Sequence, residues 1–195
     1  MLSALRNWYR RIGLGRATVK HPVIAGEYDS SWDLETDVAV IGFGGAGAAA
    51  AIEASEAGAR VSVVDRFNGG GSTKISGGIY YAGGGTAIQR QAGVEDDPDN
   101  MFRYLKLETG DVVCEDTLRR FCEDSPENFD WLLRQGVPFD ASLCPYKTSY
   151  PSNDYYFYYS GNESFPPWSE VANPAPRGHR AHGRGVSGAA LFGPL

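Results

Sequence analysis

Gly42, Gly44 and Gly47 fall in the run Gly42-Phe43-Gly44-Gly45-Ala46-Gly47, a G-x-G-x-x-G spacing. The chemistry this spacing suits is the holding of a phosphate. The first glycine permits a tight turn, the second lets an anion approach the backbone, and the third lets a following helix lie close to the preceding strand. The spacing alone is weak evidence, so the flanking elements decide its weight. Before it stands Asp37-Val38-Ala39-Val40-Ile41, a short apolar run that reads as a buried strand of a parallel sheet. After it, Ala46 to Ala57 reads as an alanine-rich helix with Ile52 inward, Glu53 and Glu56 outward, and Gly58 as its terminator. Arg60-Val61-Ser62-Val63-Val64-Asp65 is a second strand ending in an acid. Residues 36–65 thus form a βαβ unit with a right-handed crossover. The N-terminus of its helix offers free N–H groups and a partial positive charge to a pyrophosphate. Asp65, eighteen residues past Gly47, is placed to accept hydrogen bonds from a ribose hydroxyl pair and to repel a 2′-phosphate, which disfavours NADP.

That loop asks only for an adenine dinucleotide, and both FAD and NAD supply one. The segment Gly69-Gly70-Gly71-Ser72-Thr73-Lys74-Ile75-Ser76-Gly77-Gly78 directly follows the second strand and shifts the choice. A cofactor running onward from its pyrophosphate to an isoalloxazine needs a second stretch of bare backbone with hydroxyl groups, whereas a nicotinamide has no evident need for one. FAD is therefore the expected cofactor, with an NAD(P) Rossmann module as the alternative.

Together, Asp37 to Gly47, Val63-Val64-Asp65, Gly70-Gly71-Ser72-Thr73 and Ser76-Gly77-Gly78 resemble the fumarate reductase/succinate dehydrogenase flavoprotein superfamily, the FAD-dependent oxidoreductase 2 family. The Gly-Gly-Ser-Thr form is most similar to its 3-ketosteroid dehydrogenase branch, and the chain resembles the 3-ketosteroid 1-dehydrogenases. The likeness is sharp over 36–85 and looser over 86–195. It implies FAD held by Gly42, Gly44, Gly45, Ala46, Gly47, Asp65, Arg66, Gly71, Ser72, Thr73, Ser76, Gly77 and Gly78. Respiratory members place a flavin-linking histidine near the second loop, and residues 66–85 contain none, so the implied FAD is noncovalent. The implied activity is oxidation or reduction of a C–C bond conjugated to a carbonyl. A ketosteroid is the implied small-molecule substrate, and the electrons go to an external acceptor.

The same resemblance supplies the catalytic candidates. Steroid 1-dehydrogenases of this branch pass a hydride to the flavin and a proton to a tyrosine base, and an Asp-Tyr-Tyr segment follows their FAD domain. Asp154-Tyr155-Tyr156 resembles that segment, which makes Tyr156, then Tyr155, the candidates for a catalytic or substrate-lining role. From chemistry alone a phenol, with an ordinary pKa of about 10, needs strong perturbation to act as a base, and packing of a pocket wall is the plainer role. His179 and His182 stand among Arg177, Arg180 and Arg184. This basic stretch reads as solvated surface, or else as a loop meeting phosphate or acidic neighbours. Two histidines lack the further ligands a metal needs, and the nearby cations oppose one.

The remaining elements serve these loops. Residues 69–85 read as a loop in which Ile75, Ile79, Tyr80 and Tyr81 can pack. Asp97-Pro98 opens a helix with Met101, Tyr104, Leu105 and Leu107 near one face, closing at Gly110. Glu115 to Asp124 is a second helix, and Ser125-Pro126 caps a third that Gly136 ends. From Pro138 onward the chain is rich in aromatics, proline and glycine, with no lasting helix or strand period. The expected fold class is α/β: an incomplete Rossmann-like FAD-binding domain plus a helical and an irregular aromatic-rich segment. The expected division is an N-terminal extension over 1–35, the FAD-binding domain over 36–140, and an irregular segment over 141–195 leading toward a substrate domain. The chain stops at Phe192-Gly193-Pro194-Leu195 with no terminating helix or polar tail, which reads as part of a longer enzyme. The alternative is a truncated, non-catalytic dinucleotide-binding fragment with an unpaired sheet edge.

Bulk properties agree. Of 195 residues 25 are glycine, clustered where a ligand must approach backbone. A net charge of −6 gives no basic field, so nucleic acid is not an expected partner. Cys114, Cys122 and Cys144 form no C-x-x-C pair, and their odd number argues against a disulfide framework, so a reducing, cytoplasmic compartment fits. No apolar stretch reaches the ~20 residues of a transmembrane segment. Residues 1–20 hold Arg6, Arg10, Arg11, Arg16 and Lys20 without a following apolar core, which reads as a basic surface extension rather than a signal peptide.

Overall fold

The β-branched runs on either side of the first glycine loop pair with each other, and this pairing places the loop. The structure, a computed structural model, describes residues 33–195; the reading of residues 1–32 as a surface arm lies outside the described residues. Thr36–Leu195 is one compact unit. Strand β1 (Val38–Ile41) leads through the glycine loop into α1 (Gly45–Glu56), which crosses back to β2 (Val61–Val64). The two strands are parallel, with Val38 opposite Val61 and Ile41 opposite Val64. Asp37 pins the open end by accepting from the backbone N–H and the guanidinium of Arg60. At the close of α1, Gly58 takes a positive φ of 89° and donates its N–H to Ser55 O, as a C-terminal glycine should.

The strand β1 is not the buried strand expected. Ile41 is 80% exposed and its partner Val64 is 56% exposed. With only β2 beside it among the described residues, and α1 against the pair, half of its side chains face outward.

After β2 come α2 (Gly71–Ile75), β3 (Ile79–Tyr81), α3 (Ala87–Gln91), α4 (Pro98–Thr109), α5 (Glu115–Arg134), β4 (Phe157–Tyr158), α6 (Trp168–Val171), β5 (Gly178–Arg180) and α7 (Gly188–Phe192). A second, antiparallel sheet has the order β3-β5-β4. The segment beyond residue 140 is therefore more ordered than its composition suggests, and residues 188–192 end in a helical turn where none was expected. A three-residue strand of Gly178, His179 and Arg180 shows no alternation in sequence; pairing on both sides makes it a strand. Of the apolar residues expected to pack within 69–85, Ile79, Tyr80 and Tyr81 do so in β3, but Ile75 is 79% exposed.

Helix α4 begins and ends as its sequence predicts. The Asp97 carboxylate accepts from Asn100 N–H, Pro98 follows, and Gly110 closes it with φ of +56°. The boundary expected at Ser125-Pro126 is absent, because α5 runs unbroken through Pro126. Ser125 is buried, and its hydroxyl accepts the N–H of Gly83 from the loop after β3. Proline inside a helix costs about 3 kcal/mol. Offsetting it, α5 buries Leu118, Cys122, Phe129 and Leu132 along one face. Phe129 reaches the cluster of Ala82, Ile88 and Phe157, while Leu118 and Cys122 pack on Met101 and Phe102 of α4.

Candidate cofactor site

The two glycine loops form one cradle. Gly42, at φ +100°, turns the chain out of β1 and donates its N–H to Val64 O at 2.7 Å. Gly44 is the N-cap of α1 and offers no side chain to its first-turn amides, so that helix end is open to an outside acceptor. A Cβ built on Gly44 would meet nothing closer than Gly70 O at 4.0 Å, whereas one on Gly47 would collide with the Gly42 carbonyl oxygen. The first position is room for a ligand; the second is helix-to-strand packing.

Between the loops, Gly70 N–H donates to Phe43 O at 2.5 Å and Gly45 N–H donates to Thr73 Oγ1 at 3.1 Å. A Cβ on Gly71 would lie 3.4 Å from Gly44 Cα. Asp65 accepts from the N–H groups of Phe43 at 2.6 Å and Phe67 at 2.7 Å. These two bonds, Phe43's first, hold its carboxyl below the usual carboxylate range. It therefore stays ionised, and its oxygens keep lone pairs for further donors. Beside the cradle a cleft of about 850 Å³ is lined by Gly45, Ser72, Thr73, Ser76, Tyr80 and Trp131 among others. That size is within the usual range for small-molecule sites. Ala46, Gly71 and Ser72 are exposed at the cradle, and exposed Arg66 rests its guanidinium 5.4 Å from the Phe67 ring.

The far end of the second loop is fixed by residues that sequence reasoning missed. Ser76 Oγ donates to Thr73 O and accepts from Gly78 N–H. Gly188 N–H donates to Ser76 O at 3.0 Å, and Ser187 Oγ donates to Gly77 O at 3.1 Å. Gly78, at φ +69°, has Ser187 backbone where a Cβ would sit. The hydroxyl of Tyr150 lies 2.8 Å from both Gly77 O and Gly185 O. The cluster Gly183-Arg184-Gly185-Val186-Ser187-Gly188 was a signal in the sequence, being small and glycine-rich like the loops it meets.

The tyrosines named from the sequence stand one layer away. Tyr156 is buried, with its hydroxyl 3.4 Å from Gly183 O and its ring centroid 4.1 Å from that of His182. Tyr155 is half-buried, edge-on to Tyr146. Neither makes a hydrogen bond to Gly42–Gly47 or to Gly69–Gly78 among the described residues; Tyr150 does.

The reading of the basic stretch as solvated surface is corrected: only His182 and Arg184 are exposed, while Arg177, His179 and Arg180 are fully buried. Arg177 makes a two-pronged ion pair with Asp96, at 2.9 and 2.8 Å, both side chains being without solvent contact. His179 Nδ1 lies 3.0 Å from Arg177 O and Nε2 lies 3.0 Å from Thr86 Oγ1. A carbonyl can only accept, so Nδ1 carries the proton and Nε2 accepts from the threonine hydroxyl. Burial pushes the His179 pKa down to about 4, and the ring packs on Phe129 and Phe157 as a neutral core side chain.

The family described as "FAD binding domain" matches residues 37–190. This chain belongs to that family. Its cofactor is FAD, and the open Gly44, the uncapped α1 and the joined loops fit that group. A 3-oxo-5-alpha-steroid 4-dehydrogenase of Comamonas testosteroni is 47% identical over 167 residues, 84% of this chain and 31% of that protein. A 3-ketosteroid-delta4-(5alpha)-dehydrogenase from Rhodococcus jostii RHA1, solved in complex with 4-androstene-3,17-dione, matches with a TM-score of 0.78 and 41% identity, over 85% of this chain and 36% of that one. The open conformation of a flavocytochrome c3 fumarate reductase shares the fold, with a TM-score of 0.62 at 24% identity over 89% of this chain and 29% of that one. The chain thus spans about a third of the length of the relatives it matches. Among the described residues no helix is long and apolar enough to cross a membrane.

Proposed function

We propose that this chain carries the cofactor-gripping part of an FAD-dependent oxidoreductase that acts on a C–C bond conjugated to a carbonyl, in a 3-ketosteroid. The observation behind this is the single cradle made by the two glycine loops, joined at Gly45–Thr73 and Phe43–Gly70. Gly42, Gly44, Gly45, Ala46 and Gly47 receive the pyrophosphate at the start of α1, where uncapped N–H groups replace the water around its charges. Asp65 accepts from the ribose hydroxyls while its other bonds hold it in place. Arg66, Gly71, Ser72, Thr73, Ser76, Gly77 and Gly78 take the remainder of the cofactor without a covalent link. Bound FAD supplies the acceptor for a hydride.

Both steroid relatives named above act at the 4-position by their names, and this supports a 5α-reduced 3-ketosteroid as substrate with desaturation between C4 and C5. The hydrogen on C4, next to the carbonyl, leaves as a proton and the one on C5 as hydride. Tyr156 Oη, on a buried side chain, is the candidate atom to take that proton, as the phenolate left once its own hydroxyl proton has passed to water, with Tyr155 second. The electrons pass on to an external acceptor. The three unpaired cysteines suit a reducing compartment, the cytoplasm.

The test is an absorption spectrum of the purified chain with added FAD, followed by anaerobic addition of a saturated 3-ketosteroid. Retained flavin that bleaches is the expected result. Colourless protein that retains no FAD overturns the cofactor reading. Retained flavin that no ketosteroid bleaches, but which fumarate reoxidises after chemical reduction, replaces the steroid with a dicarboxylate.

A further inference from the structure

Arg177 and Arg180 are both completely buried, yet they are held in different ways. Arg177 has the Asp96 carboxylate. Arg180 has no carboxylate within ion-pair distance among the described residues, and its guanidinium is surrounded by neutral oxygens. Nη1 donates to Pro151 O at 3.2 Å and Ser152 O at 2.8 Å. Nη2 donates to Asn153 Oδ1 at 2.8 Å, Gly183 O at 3.0 Å and Gly185 O at 2.7 Å. The rings of Tyr150 and Tyr156 flank it, with centroids 4.7 and 4.9 Å from the guanidinium carbon.

Burying a cation without a counter-ion is costly unless its hydrogen bonds are made. Here the two terminal nitrogens make theirs to two chain segments, 151–153 and 183–185, that lie about thirty residues apart in sequence, while Nε has no partner among the described residues. A planar fork can reach both at once, and a compact ammonium cannot. The side chain therefore serves as a clamp, and what the clamped segments touch is the end of the second glycine loop. The Tyr150 hydroxyl, with one proton to give, bridges Gly77 O and Gly185 O. Ser187 and Gly188, continuing from the clamped turn, bond Gly77 O and Ser76 O. No hydrogen bond joins either segment to Gly42–Gly47 among the described residues.

We infer that Arg180 is a positioning residue for the flavin end of the cofactor. From behind the loop, through Tyr150 and the 183–188 turn, it fixes Ser76–Gly78 and leaves the ADP end to Gly42–Gly47. The inference rests on the FAD reading proposed above, and ADP separates the two because in that reading it reaches Gly42–Gly47 and Asp65 but not Ser76–Gly78.

The experiment is calorimetric titration of the purified chain with ADP and with FAD, for the parent, Arg180→Lys, Arg180→Met and Tyr150→Phe. The expected result is ADP affinity unchanged within about twofold throughout, with FAD affinity weakened by about tenfold or more in both Arg180 variants and a few-fold in Tyr150→Phe. Lysine failing to rescue marks the fork geometry rather than the charge. FAD affinity equal to the parent's in the Arg180 variants overturns the inference. So does a parallel loss of ADP and FAD, which marks support of the whole fold. Tyr150→Phe removes a single oxygen, so if the Arg180 variants do not fold, unchanged FAD binding in Tyr150→Phe overturns the inference instead. A parent that does not bind FAD overturns the cofactor reading and this inference with it.

Discussion

Gly44 and Gly47 lie three residues apart and answer to different demands. Gly44 has extended backbone, φ −96° and ψ −169°, and empty space where its Cβ would be. Gly44→Val is therefore expected to fold with a Tm close to the parent's and to lose FAD, since the added methyls fill the room proposed for the pyrophosphate; spectroscopy of the purified variant reads this directly. Gly47→Ala would press a methyl into the Gly42 carbonyl. It is expected to cost about 1–3 kcal/mol in stability, read as a lower denaturation midpoint even without cofactor. His179 sets a pH limit at the same scale. Its pKa is about 4 in the fold against an ordinary 6.5. As pH falls through 6.5 the unfolded chain takes up a proton that the folded chain refuses, so stability declines until about pH 4 and His179 adds no further loss below that. The drop amounts to about 3 kcal/mol. Urea denaturation at pH 7 and pH 4.5 measures it, and His179→Gln should start lower at pH 7 and show a shallower decline.

Helix α5 holds together although its sequence contains a stop signal. Ser125-Pro126 has the residue types of a helix start, but the Ser125 hydroxyl oxygen accepts from Gly83 N–H, 42 residues earlier in the chain. Ser125→Ala would leave that buried N–H without an acceptor. The expected cost is about 1–3 kcal/mol, and faster hydrogen exchange at the Gly83 amide should accompany it. The strand β5 shows the reverse case, an element with no local signal. Its edges are supplied by β3 on one side and β4 on the other, so its existence depends on chain from 79 to 158.

Across the whole unit, the Arg177–Asp96 pair ties the entry to β5 to the loop after α3, 81 residues apart. Burial works against the ionised Asp96, but the hydrogen bonds and charge of Arg177 outweigh it and hold the carboxyl below its usual range. Asp96→Ala strands the arginine without a partner and should cost about 3–5 kcal/mol, measured by chemical denaturation. Adding Arg177→Met to that variant should recover part of the loss. Recovery of none would mean that the arginine's contacts to Gly83 and Tyr104, rather than its charge, matter most.

The first loop, its βαβ frame and Asp65 were legible in the sequence because the strands, the helix and the turn between them all lie within residues 36–65, where spacing and period report local backbone directly. The second loop was legible as bare backbone with hydroxyls, but not its supports: Tyr150 and Ser187 meet Gly77 from 73 and 110 residues away. The stretch from 177 to 180 was misread for the same reason. Charge in a sequence points to solvent unless its partner is known, and Asp96, the carbonyls of 151–153 and Thr86 become partners only once β5 is inserted between β3 and β4. The sequence by itself pointed to a bound dinucleotide and, through the second loop, favoured FAD over NAD(P), which the family match then bore out. The tertiary structure decided what holds that grip in shape, because a buried cation, a neutral histidine and a three-residue strand are stable only among neighbours the chain brings from far away.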